Sequence, residues 1–159
     1  ASMMLSMTKI MKMGFSPTQG LDMYFSKKAK QDGKKVEGLE AIEFQINLMG
    51  ELSDIDPNEF IKKTIEDIQI IETEMGKLKD AWTKGDIETL GNILNQSLEG
   101  YPTMKTKFID NRNTNWIKKI KDYPNTGKTH MIIIGAGHLP GEKGVLKLLQ
   151  KEGFKLEQL

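Results

Sequence analysis

One stretch governs what the rest of this chain must build. Thr129-His-Met-Ile-Ile-Ile134 is β-branched and almost continuously apolar, inside a sequence whose other apolar positions are spaced at helical intervals. Such a run reads as a strand covered on both faces, and a strand of that kind needs neighbours. After it come Gly135-Ala-Gly-His-Leu-Pro-Gly141, a helical pattern with Val145, Leu146, Leu148 and Leu149 that Gly153 stops, and a second strand from Phe154 to Leu159. Strand, turn, helix, strand is a βαβ unit and implies a parallel pair. With Lys34 to Leu39 as a further short strand, the expected fold is α/β: helix-rich, with a small, mostly parallel sheet built from strands near 34–39, 129–135 and 154–159.

The remainder of the chain reads as helix. Thr18 or Asp22 can cap a helix that runs to about Gln31, where Asp32-Gly33 stops it. Ala41 to about Leu52 carries Ile42, Phe44, Ile46, Leu48 and Met49, apolar on more than one side, and reads as a well-buried helix. Asp56-Pro57-Asn58-Glu59 combines an acidic cap, a proline at the first helical position and a glutamate at the third. From there Ile61, Ile65, Ile68, Ile71, Met75, Leu78 and Trp82 recur in steps of four and three, which predicts a long amphipathic helix ending near Gly85. Asp86 caps a short helix to about Ser97, and Gly100-Tyr101-Pro102 opens another that runs to the break at Asp122-Tyr123-Pro124.

Composition narrows the function classes. The 159 residues correspond to one domain, and 23 basic against 22 acidic side chains leave a net charge of +1 with no local basic stripe, so no nucleic-acid footprint is expected. The absence of cysteine removes disulfides, thiolate metal sites and thiol nucleophiles, so any metal must sit on His, Asp or Glu. No run of about 18 apolar residues could span a bilayer, and the first residues lack the pattern of a signal peptide. Five of the ten methionines fall within the first thirteen residues, which reads as a core helix or, alternatively, as a pliable contact surface.

Ligands in open parallel sheets bind at the carboxyl ends of strands. Glu40, after the first expected strand, and His138, after the most apolar one, occupy that position. Gly135 and Gly137 permit a tight, backbone-exposed turn that would present the imidazole rather than bury it. His130, at the other end of its strand, reads as a surface residue. Arg112, the one arginine among 22 lysines, falls inside an apolar helix face formed by Met104, Phe108, Ile109, Trp116, Ile117 and Ile120. A guanidinium placed there needs a partner: Glu40, Glu43 or Asp110 in a salt bridge, water at the end of a snorkelling side chain, or an anionic or carbonyl group of a ligand. The glycine-rich turn also imitates a dinucleotide fingerprint, but its third glycine comes one residue late and Leu139-Pro140 is bulky where close packing is required.

Gly20-Leu-Asp-Met-Tyr-Phe, Val36-Glu-Gly-Leu-Glu-Ala-Ile-Glu-Phe-Gln45, Asn111-Arg-Asn-Thr-Asn-Trp116 and Ile134-Gly-Ala-Gly-His-Leu-Pro-Gly-Glu-Lys-Gly-Val-Leu-Lys-Leu-Leu149, with a final Gly153-Phe-Lys-Leu, together resemble the TraB/PrgY/GumN family, which is related to the TIKI proteases. That family is marked by two G-x-x-H motifs and a glutamate on an α/β fold shared remotely with erythromycin esterases and a haem-binding lipoprotein. The resemblance implies a metal-dependent, peptidase-like hydrolase. Gly135-x-x-His138 matches the second G-x-x-H motif, Glu40 the glutamate of the G-L-E block, and Arg112 with Asn113 the R-N-x-x-W block. His138 and Glu40 would then ligate a divalent ion (Mn, Co or Zn), with Glu40 as ligand or general base. Arg112 would stabilise an oxyanion or a substrate carboxylate, and Asn113 would stand behind the site.

The first G-x-x-H motif has no counterpart upstream of Gly38, so the chain reads as the carboxy-terminal part of a larger domain, with little activity expected of it alone. An incomplete sheet would expose an edge and favour self-association. The expected partner is a peptide or small-molecule substrate, the alternative being a protein that sequesters such a ligand without cleaving it. The resemblance also implies an exported or membrane-associated protein.

Overall fold

The computed structural model describes residues 2–50, 56–98 and 100–159. The chain divides into two compact units, Ala1–Thr73 and Glu74–Leu159. Its helices are α1 (Ser2–Lys12), α2 (Leu21–Gln31), α3 (Ile42–Gly50), α4 (Pro57–Lys84), α5 (Ile87–Leu98), α6 (Pro102–Lys105), α7 (Asn111–Ile120) and α8 (Val145–Lys151). A π-helical segment, Thr106–Asp110, joins α6 to α7, and short 3-10 turns lie at Tyr123–Thr126 and Ala136–His138.

Among the described residues there is no strand, which overturns the α/β expectation and its parallel sheet. Residues 34–38 are irregular and exposed, and 129–134 and 154–159 are irregular as well. A strand exists through hydrogen bonds to a neighbour, and β-branching supplies only a preference for one. Met131 (66% exposed), Ile132 and Ile133 show the consequence, because the side chains expected between two layers stand open to solvent. The sheet edge proposed for self-association is not among the described elements.

In the first unit, α4 begins as the sequence predicts: Asp56 Oδ1 accepts the Asn58 backbone N–H at 2.7 Å, directly before Pro57. Helix α2 ends at Gln31 with Gly33 left-handed at φ +64°, but it is entered from Gly20, which offers no side-chain cap, rather than from Thr18 or Asp22. Helix α3 is not well buried. Leu48 is its buried residue, while Ile42 and Ile46 are each more than 60% exposed, and the expected continuation to Leu52 lies outside the described residues. Met4, Met7 and Met11 of α1 are likewise exposed, so this helix is not a core helix. Polar links replace core here: Lys9 pairs with Glu72, and buried Lys63 pairs with Asp67 one turn on.

The second unit holds most of the buried apolar side chains: Ala81, Leu90, Ile93, Trp116, Ile117, Ile120 and Val145. Helix α7 organises them by burying Asn113, Trp116, Ile117 and Ile120, the i, i+3, i+4, i+7 stripe of an amphipathic helix. It packs on α8, while α5 packs on the Ala136–His138 turn and on α6. The single helix expected from Tyr101 to Asp122 is interrupted by the π segment. Its i to i+5 spacing sets Lys105 over Asp110, where Nζ and Oδ1 meet at 2.8 Å.

Asp86 caps α5 as expected. The Thr89 backbone N–H, donated to Oδ1 at 3.0 Å, and then the Thr89 hydroxyl hold its carboxyl below the ordinary 3.8. A depressed folded value stabilises above the unfolded value and is lost as pH falls through the folded one. Asp86→Ala therefore lowers the urea midpoint at neutral pH, and its deficit narrows below about pH 4 as the wild-type carboxyl protonates. A deficit independent of pH in this range would show that the charged cap does not stabilise the helix.

Candidate functional site

The second unit gathers three of the predicted site residues around one imidazole. His138 ends the 3-10 turn, with its backbone N–H donated to Gly135 O at 2.9 Å, and is 9% exposed. The glycines before it were expected to present the ring to solvent, and the structure buries it instead. Its ring lies 4.4 Å from that of Trp116, tilted by 47°. Asn113, 0% exposed, accepts at Oδ1 from His138 Nδ1 at 2.6 Å. The Asn113 amide nitrogen donates to His138 O at 3.2 Å and to Lys143 O at 2.8 Å.

Arg112 is half-buried, one position before Asn113 on the same helix. Its guanidinium lies over Trp116 at 5.0 Å from the ring centre, Nη1 donates to Phe108 O at 3.2 Å, and Nη1 stands 3.5 Å from His138 Nε2. Of the partners expected for it, Asp110 is engaged by the ammonium groups of Lys105 at 2.8 Å and Lys143 at 3.3 Å. Lys143 is thus held twice, its carbonyl by Asn113 and its ammonium by Asp110, which fixes the loop from His138 to Gly144 against α7.

Glycine roles are redistributed. Gly135 adopts φ −60°, ψ 137°, open to any residue, and a Cβ there would meet only His138 Cδ2 at 3.8 Å. A Cβ on Gly137 would touch Leu94 of α5 at 3.4 Å, ordinary contact. Neither position requires a glycine on steric grounds. The constrained positions are ones that sequence reasoning passed over. A Cβ on Gly144 would lie 2.3 Å from both the Leu139 and Pro140 carbonyl oxygens, and one on Gly91 2.9 Å from Pro140 Cβ. Gly144 follows Pro140 within the same loop, but Gly91 lies far from Pro140 in the chain, so the sequence gives no sign of that second approach.

Glu40 belongs to the first unit, is half-buried and accepts from Gln45 Nε2 at 3.0 Å. Gly38 of the same G-L-E block is required locally, since a Cβ there would approach the Glu40 carbonyl oxygen to 2.7 Å. The G-x-x-H spacing recurs at Gly127-Lys-Thr-His130, where the ring is exposed, stacked 4.5 Å from Tyr123 and bonded to Thr126 Oγ1 at 2.7 Å. The spacing alone therefore does not make a site; the Asn113, Trp116 and Arg112 environment distinguishes His138.

The TraB/PrgY/gumN family model matches residues 1–158. The chain belongs to this family. No curated protein and no solved structure matches it. For the metal that the TraB/PrgY/gumN resemblance implies, the donor set around His138 is one imidazole beside an amide and a guanidinium. Among the described residues no group of three or more His, Cys, Asp or Glu could hold an ion. That set does not fit a metal centre by itself, and a cation at Nε2 would face the Arg112 charge. The cavity bounded by Leu94, Lys105, Asp110, Gly137 and Lys143 measures about 80 Å³, well below the several hundred typical of substrate pockets. Among the described residues, no helix is long and apolar enough to cross a membrane.

Gly144→Ala should cost about 3 kcal/mol, because two backbone carbonyls must move, whereas Gly135→Ala should change stability by less than about 0.5 kcal/mol. Urea unfolding followed by tryptophan fluorescence measures both, and equal effects would contradict the loop geometry.

Proposed function

We propose that this TraB/PrgY/gumN protein is a peptidase-like hydrolase and that His138 and Arg112 act together on a carbonyl or carboxylate oxygen. The observation that carries this reading is the Arg112 Nη1 to His138 Nε2 approach at 3.5 Å, on a ring held from behind by Asn113. An imidazole nitrogen next to a fixed guanidinium pairs a proton acceptor with a positive charge. The first can take a proton from an attacking water, and the second can stabilise the oxygen on which negative charge develops. Trp116 keeps both groups in register by lying against the ring of one and under the plane of the other.

Glu40 enters the proposal through the family's G-L-E block, as general base or ligand. A divalent ion enters it through the same resemblance and would need donors beyond His138. The substrate class is a peptide or another small acyl compound, which the planar, two-pronged guanidinium suits better than lysine would.

The test is hydrolysis of a peptide library by protein expressed from the entire reading frame, with and without manganese, cobalt or zinc. His138→Gln, Arg112→Ala and Glu40→Ala should each lower kcat/KM by at least about 100-fold while the far-ultraviolet circular dichroism stays unchanged. Retained turnover in the His138 and Glu40 variants would overturn the assignment. Stoichiometric ligand binding without turnover would replace it by a sequestering protein.

A further inference from the structure

We infer that Asn113 is a positioning residue that fixes His138 as the Nδ1–H tautomer and so places the ring's lone pair on Nε2, beside Arg112. The Asn113 nitrogen lies between two backbone carbonyl oxygens, those of His138 and Lys143. Carbonyl oxygens only accept, so the group facing them must be the NH2, and the orientation of the amide follows from chemistry. Its oxygen then faces His138 Nδ1 at 2.6 Å, and an oxygen with no hydrogen of its own can only accept. Nδ1 must therefore carry the proton.

The other side of the ring gives the same answer independently. A guanidinium has five donors and no acceptor, so a ring nitrogen set toward Arg112 Nη1 meets it best with a lone pair. A second proton on the imidazole would place two cations side by side. With Asn113 fully buried, reversing the amide would set oxygen against two carbonyl oxygens without water to relieve them. In the wild-type chain one orientation of the Asn113 amide therefore serves both the tautomer and the anchoring of the 138–143 loop.

This inference rests on the hydrolase reading only for its consequence, namely that Nε2 is the atom that meets substrate or water. The assignment itself is read without any activity. Full chain labelled with ¹⁵N is recorded at neutral pH in a long-range proton–nitrogen spectrum, with His130→Gln identifying the His138 signals. The expected result is a pyrrole-like Nδ1 and a pyridine-like Nε2. The reverse pattern, an averaged pair of shifts or a doubly protonated ring would overturn the inference.

Two variants separate positioning from scaffolding. Asn113→Asp keeps an acceptor for Nδ1 but loses both donors to the loop, so it should lose stability and retain the tautomer. Asn113→Leu removes the acceptor and should release the ring toward the Nε2–H form that free imidazole side chains favour in water. In the hydrolysis assay Asn113→Leu should lower kcat by about 10–100-fold, the loss typical when the group that orients a functional histidine is removed. A wild-type chain with the expected tautomer and no hydrolysis would sink the hydrolase reading and leave the tautomer assignment intact. An active wild type with the opposite tautomer would do the reverse.

Discussion

A fully buried carboxamide is the constraint on which the second unit depends. Asn113 occupies a position in the α7 stripe that would otherwise carry a hydrocarbon, between the buried rows of Trp116, Ile117 and Ile120. Each of its polar atoms would cost on the order of 1–3 kcal/mol if left without a partner at that depth. The loop from His138 to Lys143 supplies all of the partners: two carbonyls and one ring nitrogen. An apolar side chain at this position would pack the core as well, but it would leave the loop without a reason to adopt one conformation. Burial thus turns a modest set of hydrogen bonds into a specification of where the imidazole must be.

The two units are held by different means. In the second, aromatic and branched side chains of α5, α7 and α8 are withdrawn from water, each worth about 1.5–3 kcal/mol when fully buried. In the first, many of the side chains that could do this remain exposed: Ile42, Ile46, Ile61 and Ile65 among them. Its regularity rests on local devices instead, such as the Asp56 cap, the left-handed Gly33 and ion pairs within and between helices. Local devices of this type contribute tenths of a kcal/mol to about one each, which sets helix ends well and tertiary structure poorly.

What was legible in the sequence follows the same division. Helix starts and stops at Asp56-Pro57, Asp86 and Gly153 could be read because capping is a contact between near neighbours in the chain. The sheet was misread because the run from Thr129 to Ile134 states a preference and not a partner, and pairing is a long-range property. Helical arithmetic sets Arg112 beside Trp116, one turn on, and the two do meet, but His138 reaches Arg112 through a turn whose path no periodicity encodes. The π segment escaped notice for a similar reason: its trace in the sequence is only a lysine and an aspartate five apart, a spacing with no meaning in an α-helix. Gly144 was invisible because what it avoids is the backbone of residues folded over it.

Three side chains from one short stretch of α7 condition the imidazole. Arg112 brings charge, Asn113 the acceptor, and Trp116, one turn on, the surface against which both the imidazole and the guanidinium rest. Placing these functions on one helix matters because their mutual geometry is then set by the helix repeat and not by the loop. The loop contributes His138 and is tied down at both ends of the segment that carries it, by Asn113 on the carbonyls of His138 and Lys143 and by Asp110 on the Lys143 ammonium. These contacts tie the loop to the side chains of α7 and Asp110, and with it the ring nitrogen facing Arg112. In the proposed hydrolysis, an oxygen brought to that nitrogen would meet an acceptor and a cation already set side by side by the fold, so little binding energy would be spent in assembling the pair.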